Sequence, residues 1–231
     1  MATLSLATIQ STPVTTTDQV FEALYAAIVS FELPPGTKVS EADIAKQMDV
    51  SRQPVRDAFF RLSKLGFLAI RPQRATLITK ISVEAVQQAA FIRMALELAC
   101  VTEAIKYMDA DAMRRIDEVL AGQKKAVEDK DGSAFHALDD AFHRTICEIG
   151  GRAHVWNVIR EYKAHVDRVR YLSLPFSLDI AFNEHLGIRD AFAARDDETA
   201  RALMRAHLER ILRIMDQIRD ENTEFFEDVA A

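Results

Sequence analysis

The stretch Asp49-Val50-Ser51-Arg52-Gln53-Pro54-Val55-Arg56-Asp57-Ala58-Phe59-Phe60-Arg61-Leu62 reads as a turn, a helix start and a cationic helix face in immediate succession. Ser51 is placed to cap the helix, and Pro54 falls in its first turn, where a missing N–H has no intrahelical partner to lose. Val55, Ala58, Phe59 and Leu62 recur at helical spacing and form one apolar stripe. Arg52, Gln53 and Arg56 lie on the other side. Two guanidiniums and an amide are donors suited to phosphate oxygens and to guanine and adenine edges in a major groove.

Working outward, an upstream helix is expected from Thr16, with Gln19 in a capping-box position and Phe21, Leu24, Tyr25, Ile28 and Val29 on one face, ended by Pro34-Pro35-Gly36. Ser40 with Asp43 caps a short second helix, and Asp49-Val50 makes the tight link to the third. After Gly66 the period changes, so that 67–71 and 75–81 read as two strands joined through Pro72-Gln73-Arg74. Three helices and a hairpin make a winged helix-turn-helix.

Charge is divided unevenly along the 231 residues, whose net charge is −6. Residues 46–80 carry eight Lys or Arg against two acids, a local +6, whereas residues 81–231 carry 20 against 28. A basic module joined to an acidic body implies that the first part meets a polyanion. With 49% hydrophobic residues the chain is globular, with room for two cores. Cys100 and Cys147 sit in apolar helical patterns and read as buried reduced thiols of a cytoplasmic protein. No apolar run spans a bilayer, and residues 1–16, without Lys or Arg, read as a flexible tail and not a signal peptide.

From Ser82 onward the pattern is helical, with breaks expected near Met108-Asp109-Ala110, 129–132, Gly150-Gly151, Ser173-Leu174-Pro175 and 195–197. The fold class is therefore mainly α, an N-terminal winged helix-turn-helix followed by an all-helical bundle. Asp139 and His143 are one turn apart among Phe135, Phe142 and Ile146, His185 shares a face with Ala181, Ile188 and Phe192, and His207 lies between Leu203 and Ile211. One carboxylate and three imidazoles aimed into a bundle suit a divalent metal. His136, His154 and His165 lack such company and read as surface or packing residues, and Asp140 points elsewhere. Arg93 shares the inward face of its helix, where Glu97 at i+4 makes a structural ion pair and an anion grip equally good readings.

Several spaced elements resemble known families. Pro34-Pro35-Gly36, Val50-Ser51-Arg52-x-Pro54-Val55-Arg56-Asp57-Ala58, Leu62 and Gly66-Phe67-Leu68 are similar to the DNA-binding domain of GntR-type transcription regulators over residues 17–80. Asp139-x-x-Phe142-His143, Glu184-His185-x-x-Ile188-x-x-Ala191 and His207-Leu208 resemble the FCD domain of the FadR subfamily over residues 82–222, leaving 223–231 as a second tail. Phe60, Arg74-Ala75 and Gly150-Gly151-Arg152 depart from the usual patterns. The resemblance implies a homodimer on a palindromic operator, with Arg52, Gln53 and Arg56 in the major groove, Ser51 on phosphate and Arg74 in the wing. It further implies zinc, nickel or a similar ion on Asp139, His143, His185 and His207, a small organic or sugar acid as effector, and a role for Arg93 in holding it. Two rival classes use the same features. A metal-dependent hydrolase with an accessory nucleic-acid module would employ the Asp and His set, and a sequence-indifferent architectural DNA binder would employ the basic module alone.

Overall fold

A computed structural model describes residues 15–70 and 75–228. The boundary between two compact units falls between Thr79 and Lys80. Arg74 and the tail at 1–14 lie outside the described residues.

In the first unit, α1 (Thr16–Val29), α2 (Glu41–Gln47) and α3 (Arg52–Lys64) are joined by a small sheet of β1 (Lys38–Val39), β2 (Leu68–Ala69) and β3 (Thr76–Ile78). The strands lie in the order β1-β3-β2, all neighbours antiparallel. The hairpin is thus present and gains a third strand that sequence periodicity did not reveal, because two residues are too few to show alternation. Val20, Leu24 and Ile28 of α1 close on Val55, Ala58, Phe59 and Leu62 of α3, all buried.

The helix starts differ from expectation in two places. At α1 the capping box is made by Thr15 and Asp18, with Asp18 N donating to Thr15 Oγ1 at 3.1 Å and Thr15 N to Asp18 Oδ2 at 3.2 Å. Asp18 holds the N3 position that such a box requires, and Gln19 stands one residue beyond it. At α3, Ser51 has the extended backbone of an N-cap (φ −68°, ψ 162°) but makes no side-chain cap bond. The third helical residue is Pro54, which has no N–H to offer it. Ser40 does cap α2, accepting from Asp43 N at 3.1 Å. The link into α3 turns on Asp49, whose φ of 53° is left-handed, a conformation short polar side chains tolerate. Helix α1 stops at Val29, ahead of the proline pair, and Gly36 (φ 84°) donates its N–H to Ile78 O at 2.8 Å, tying the turn to β3.

The second unit is helical: α4 (Val83–Ala104), α5 (Ala110–Glu128), α6 (Gly132–Ile149), α7 (Ala153–Tyr162), α8 (Ala164–Ala193), α9 (Asp197–Arg213) and α10 (Met215–Glu221). Breaks appear where Asp109, Asp131 and Asp196 cap the next helix, each accepting a backbone N–H. No break occurs at 173–175. Helix α8 runs through Pro175, because its packing against α5 and α9 outweighs the one backbone hydrogen bond the ring forfeits. Leu98, Val101, Ile116, Leu120, Ile146, Ile188, Phe192 and Met204 form the core. Cys100 and Cys147 are free and buried.

The segment expected as a second tail is partly built in. Thr223–Phe225 form a 3-10 turn, Ile81 N donates to Phe225 O at 2.8 Å and Glu227 N to Ile81 O at 2.9 Å. Ile81 and Phe226 are both buried. A pair of phenylalanines flanked by acids reads as a tail in sequence, but here Phe226 pairs with Ile81 and is buried.

Candidate metal and ligand centre

Four side chains from three helices meet in the second unit. Helix α6 supplies Asp139 and His143, α8 supplies His185 and α9 supplies His207, all buried. Their ligand atoms lie within 4.8 Å of one another. His207 Nε2 is 3.3 Å from His185 Nε2 and 3.2 Å from His143 Nε2. Asp139 is 3.5 Å from His143 Nε2 and 3.7 Å from His185 Nε2. The ring of Phe142 stacks on His185 with centroids 4.1 Å apart.

The outward nitrogens decide what the inward ones carry. His143 Nδ1 faces Glu97 Oε2 at 2.5 Å, His207 Nδ1 faces Glu184 Oε2 at 2.7 Å, and His185 Nδ1 faces Gln123 Oε1 at 2.9 Å. The Gln123 amide is oriented by its own Nε2, which donates to Leu138 O at 3.1 Å. Gln123 and Glu184 hold the proton on Nδ1 of His185 and His207, while Glu97 faces Nδ1 of His143 without a well-formed hydrogen bond, and the three Nε2 atoms converge. Burial and neighbouring positive charge push His185 and His207 well below the usual imidazole range, keeping both neutral. Ligand nitrogens on one ion lie about 3.0–3.4 Å apart for metal–nitrogen bonds of about 2.1 Å, so the separations fit a divalent cation. The donor set fits as well: neither oxygen of Asp139 has a well-formed hydrogen bond, although Arg170 Nη2 lies 2.5 Å from Oδ2. Burial works to raise the Asp139 carboxyl, but Arg170 and the imidazoles hold it well below its ordinary value.

Beside this set, and sharing His207 with it, is a small cavity of about 30 Å³. Three guanidiniums reach it: Arg93, Arg170 and Arg210. Arg93 Nε binds Glu97 at 2.6 Å, so the ion pair read from the i, i+4 spacing is present. Its Nη2 is nonetheless buried without a hydrogen-bond partner. Burial raises Glu97, yet Arg93 and His143 hold it at about 2. Leu174, Ala181, Ile211 and Ile214 give the cavity an apolar wall, and Ser173 and Ser177 interrupt it.

Sequence reasoning missed Arg170, Arg210, Ser173, Ser177, Gln123 and the facing role of Glu97 toward His143. Glu184 stood next to His185 in the quoted motif. Arg210 stood one turn after His207 on α9, and the others carried no local signal, since only the fold brings α4, α5 and the first half of α8 to the histidines. A second group, His136, Asp140 and Asp167, also clusters. Lys163 takes the cation's place there, with Nζ 2.9 Å from Asp140 and in contact with Asp167. His136 packs edge-on against Tyr171, and His154 is exposed.

In the first unit, Ser51, Arg52, Gln53 and Arg56 are exposed at the start of α3. Arg56 and Arg52 face Glu41 at 3.2 and 3.9 Å, and Gln53 Nε2 donates to Asp57 at 3.0 Å. Solvated pairs of this kind are worth little and exchange readily for phosphate. Arg61 is different, since it pairs with Asp18 at 2.8 Å and covers the Phe21 ring at 4.0 Å.

Residues 16–78 match the bacterial regulatory proteins of the gntR family, and residues 88–210 match the FCD domain. The chain belongs to the GntR family. It is 35% identical to the HTH-type transcriptional repressor RspR of Escherichia coli, over 91% of this chain and 93% of that protein. It is 30% identical to a probable D-xylose utilization operon transcriptional repressor of Paenarthrobacter nicotinovorans, over 85% and 87%. Its fold is that of the solved E. coli McbR/YncC, with a TM-score of 0.78 at 21% identity over 89% of this chain and 99% of that one. The GntR family and these relatives are transcription regulators and not enzymes, which overturns the hydrolase reading. As a GntR protein with a helix-turn-helix the chain binds DNA. Among the described residues no helix is long and apolar enough to cross a membrane.

Proposed function

We propose that this GntR regulator is a repressor that binds a palindromic operator as a homodimer and releases it when a small carboxylate effector occupies the cavity beside a divalent metal. The observation that carries this reading is the convergence of three imidazole Nε2 atoms, with His207 at 3.2–3.3 Å from the other two and two of the rings backed by an acceptor at Nδ1. A divalent cation would satisfy such an arrangement of lone pairs. Asp139, His143, His185 and His207 hold the metal, and imidazole with one carboxylate favours zinc, with nickel as the alternative. When bound, the ion supplies a Lewis-acid contact for a carboxylate oxygen. Arg93 supplies the other grip through its unpartnered Nη2, while Glu97 keeps the guanidinium in place.

On the DNA side, Arg52, Gln53 and Arg56 enter the major groove from the exposed start of α3, and Ser51 donates its hydroxyl, unused as a cap, to phosphate. The names of RspR and of the D-xylose operon relative support repression as the sign of the response.

The test begins with duplexes selected from a random pool by the full chain. Selected duplexes should outcompete random ones at fixed salt by a factor of at least about 10³. An architectural binder would show no such preference. A thermal-shift screen of organic and sugar acids, with and without chelator, should then give acids that stabilise the zinc-loaded chain and weaken its grip on the operator. If no carboxylate binds and chelator changes neither stability nor operator affinity, the effector reading fails.

A further inference from the structure

Cys100 on α4 and Cys147 on α6 are the only cysteines of the chain. Cys147 has no exposed surface and Cys100 keeps 2% of its own. The two pack together with Trp156 and Ile159 of α7, and Leu96 and Val155 edge the cluster. In these apolar surroundings each thiol takes the other as its polar partner, Cys147 donating a hydrogen bond to Cys100. That bond draws the Cys100 thiol below its ordinary value and pushes that of Cys147 up. Burial and Glu97 oppose the fall at Cys100, and Arg152 assists it.

The two helices are held together on both sides of the thiols. About one turn before them, Glu97 of α4 faces His143 of α6 at 2.5 Å. About one turn after them, Gly150, just past the end of α6, rests against the α4 backbone, where a Cβ would lie 3.1 Å from Ala104 N and 3.2 Å from Cys100 O. The sulfurs are thereby kept in register, and a disulfide of about 2.05 Å asks them to close by only on the order of 1–2 Å. Access comes from the outer side of α4. Ala99 and Glu103, on either side of Cys100 in sequence, line with Thr102 and Arg152 an open groove of about 650 Å³. An oxidant the size of hydrogen peroxide therefore reaches Cys100 before Cys147, and the thiol it reaches first is also the one with the greater thiolate character.

We propose that Cys100 and Cys147 are a redox pair, oxidised by hydrogen peroxide to an intrachain disulfide that ties α4 to α6 and reopened by a dithiol reductant. The Cys100 thiolate attacks one peroxide oxygen, the O–O bond breaks, and the departing hydroxide takes up a proton, leaving a sulfenic acid on Cys100 and one water. The Cys147 sulfur then attacks the Cys100 sulfur. The S–O bond breaks as the S–S bond forms, and the thiol proton leaves with the hydroxide as a second water. Two thiols are oxidised by two electrons and one peroxide is reduced to two waters. Reopening passes those electrons back from a dithiol, which itself becomes a disulfide.

The experiment uses the full chain, kept reduced during purification and then freed of reductant. A small excess of hydrogen peroxide should lower the intact mass by two hydrogens and leave neither cysteine open to alkylation after denaturation, with the peptides holding Cys100 and Cys147 joined. Dithiothreitol should restore both thiols. Trp156 packs in the same cluster, so its emission should change with the conversion and return on reduction. In Cys147→Ser the same treatment should stop at the sulfenic acid on Cys100, captured by dimedone, whereas Cys100→Ser should leave Cys147 unmodified. Two free thiols after peroxide, oxygen added to either sulfur without a cross-link, or a cross-link between separate chains each overturn the inference and leave the cysteines as packing residues. If the serine variants do not fold, mass and alkylation of the unaltered chain are decisive by themselves.

Discussion

Replacing Glu97 by Gln keeps the shape of the side chain and removes the charge that faces both Arg93 at 2.6 Å and His143 at 2.5 Å. Arg93 and Glu97 are 4% and 2% exposed, so the guanidinium is left in a buried site without its counter-charge. Breaking a buried pair from one side costs about 3–5 kcal/mol. The carboxyl gives an independent figure: a fall from 4.5 to about 2 corresponds to roughly 3 kcal/mol of differential stabilisation. Because the folded-state value is depressed, this stability is fully present above the unfolded value near 4.5 and is lost as the pH falls toward 2. The wild-type advantage over Glu97→Gln should therefore be about 3 kcal/mol at pH 7 and drop below about half of that by pH 3. Trp156 is the single tryptophan and is buried in the second unit against Cys100, Cys147 and Ile159, so its fluorescence during urea unfolding follows that unit. Chelator in both samples removes any contribution from bound metal. A variant as stable as the wild type at pH 7, or a difference that does not change with pH, would refute the account of this pair.

Other perturbations separate the two units. Arg52→Ala and Arg56→Ala should each weaken binding to a selected operator by about 1–3 kcal/mol in an anisotropy titration, without altering metal content; unchanged affinity in both removes them from the reading face. His185→Ala should lower zinc occupancy in elemental analysis of tag-free protein, whereas His165→Ala should leave it intact, and equal loss in both would remove the special place of His185. Gly150→Ala should destabilise the second unit by about 1–3 kcal/mol in the same urea assay, since a Cβ there lies 3.1 Å from Ala104 N and 3.2 Å from Cys100 O; a neutral effect would mean that α4 and α6 part freely.

The winged unit was legible because its signals are local. A proline in the first turn of α3, an apolar stripe and a change of period after Gly66 each act within a few residues, and Ser40 could be assigned its cap from spacing alone. The same proline also explains the failure at Ser51, where the preferred cap residue is present but its customary donor is absent. In the helical unit, Asp139, His143, His185 and His207 showed themselves by sharing faces with core residues. Gln123 did not, because its partners lie on other helices, and Arg170, though it pairs locally with Asp167, meets Asp139 only across the bundle. Pro175 misled for the opposite reason, since a local breaker was overridden by packing on both sides of α8. The segment 223–231 read as a tail, yet Phe226 is buried and pairs with Ile81, which precedes α4.

That last pairing orders events during synthesis. Ile81 emerges from the ribosome early, but its hydrogen-bond partners at Phe225 and Glu227 follow only after every helix from α4 to α10 has been made. At about 5–20 residues per second the delay is on the order of ten seconds, during which Ile81 lacks these hydrogen-bond partners. The strands and helices of the winged unit find their partners among residues already translated, so the half that reads DNA can be complete while the half that governs it is still open at its first residue.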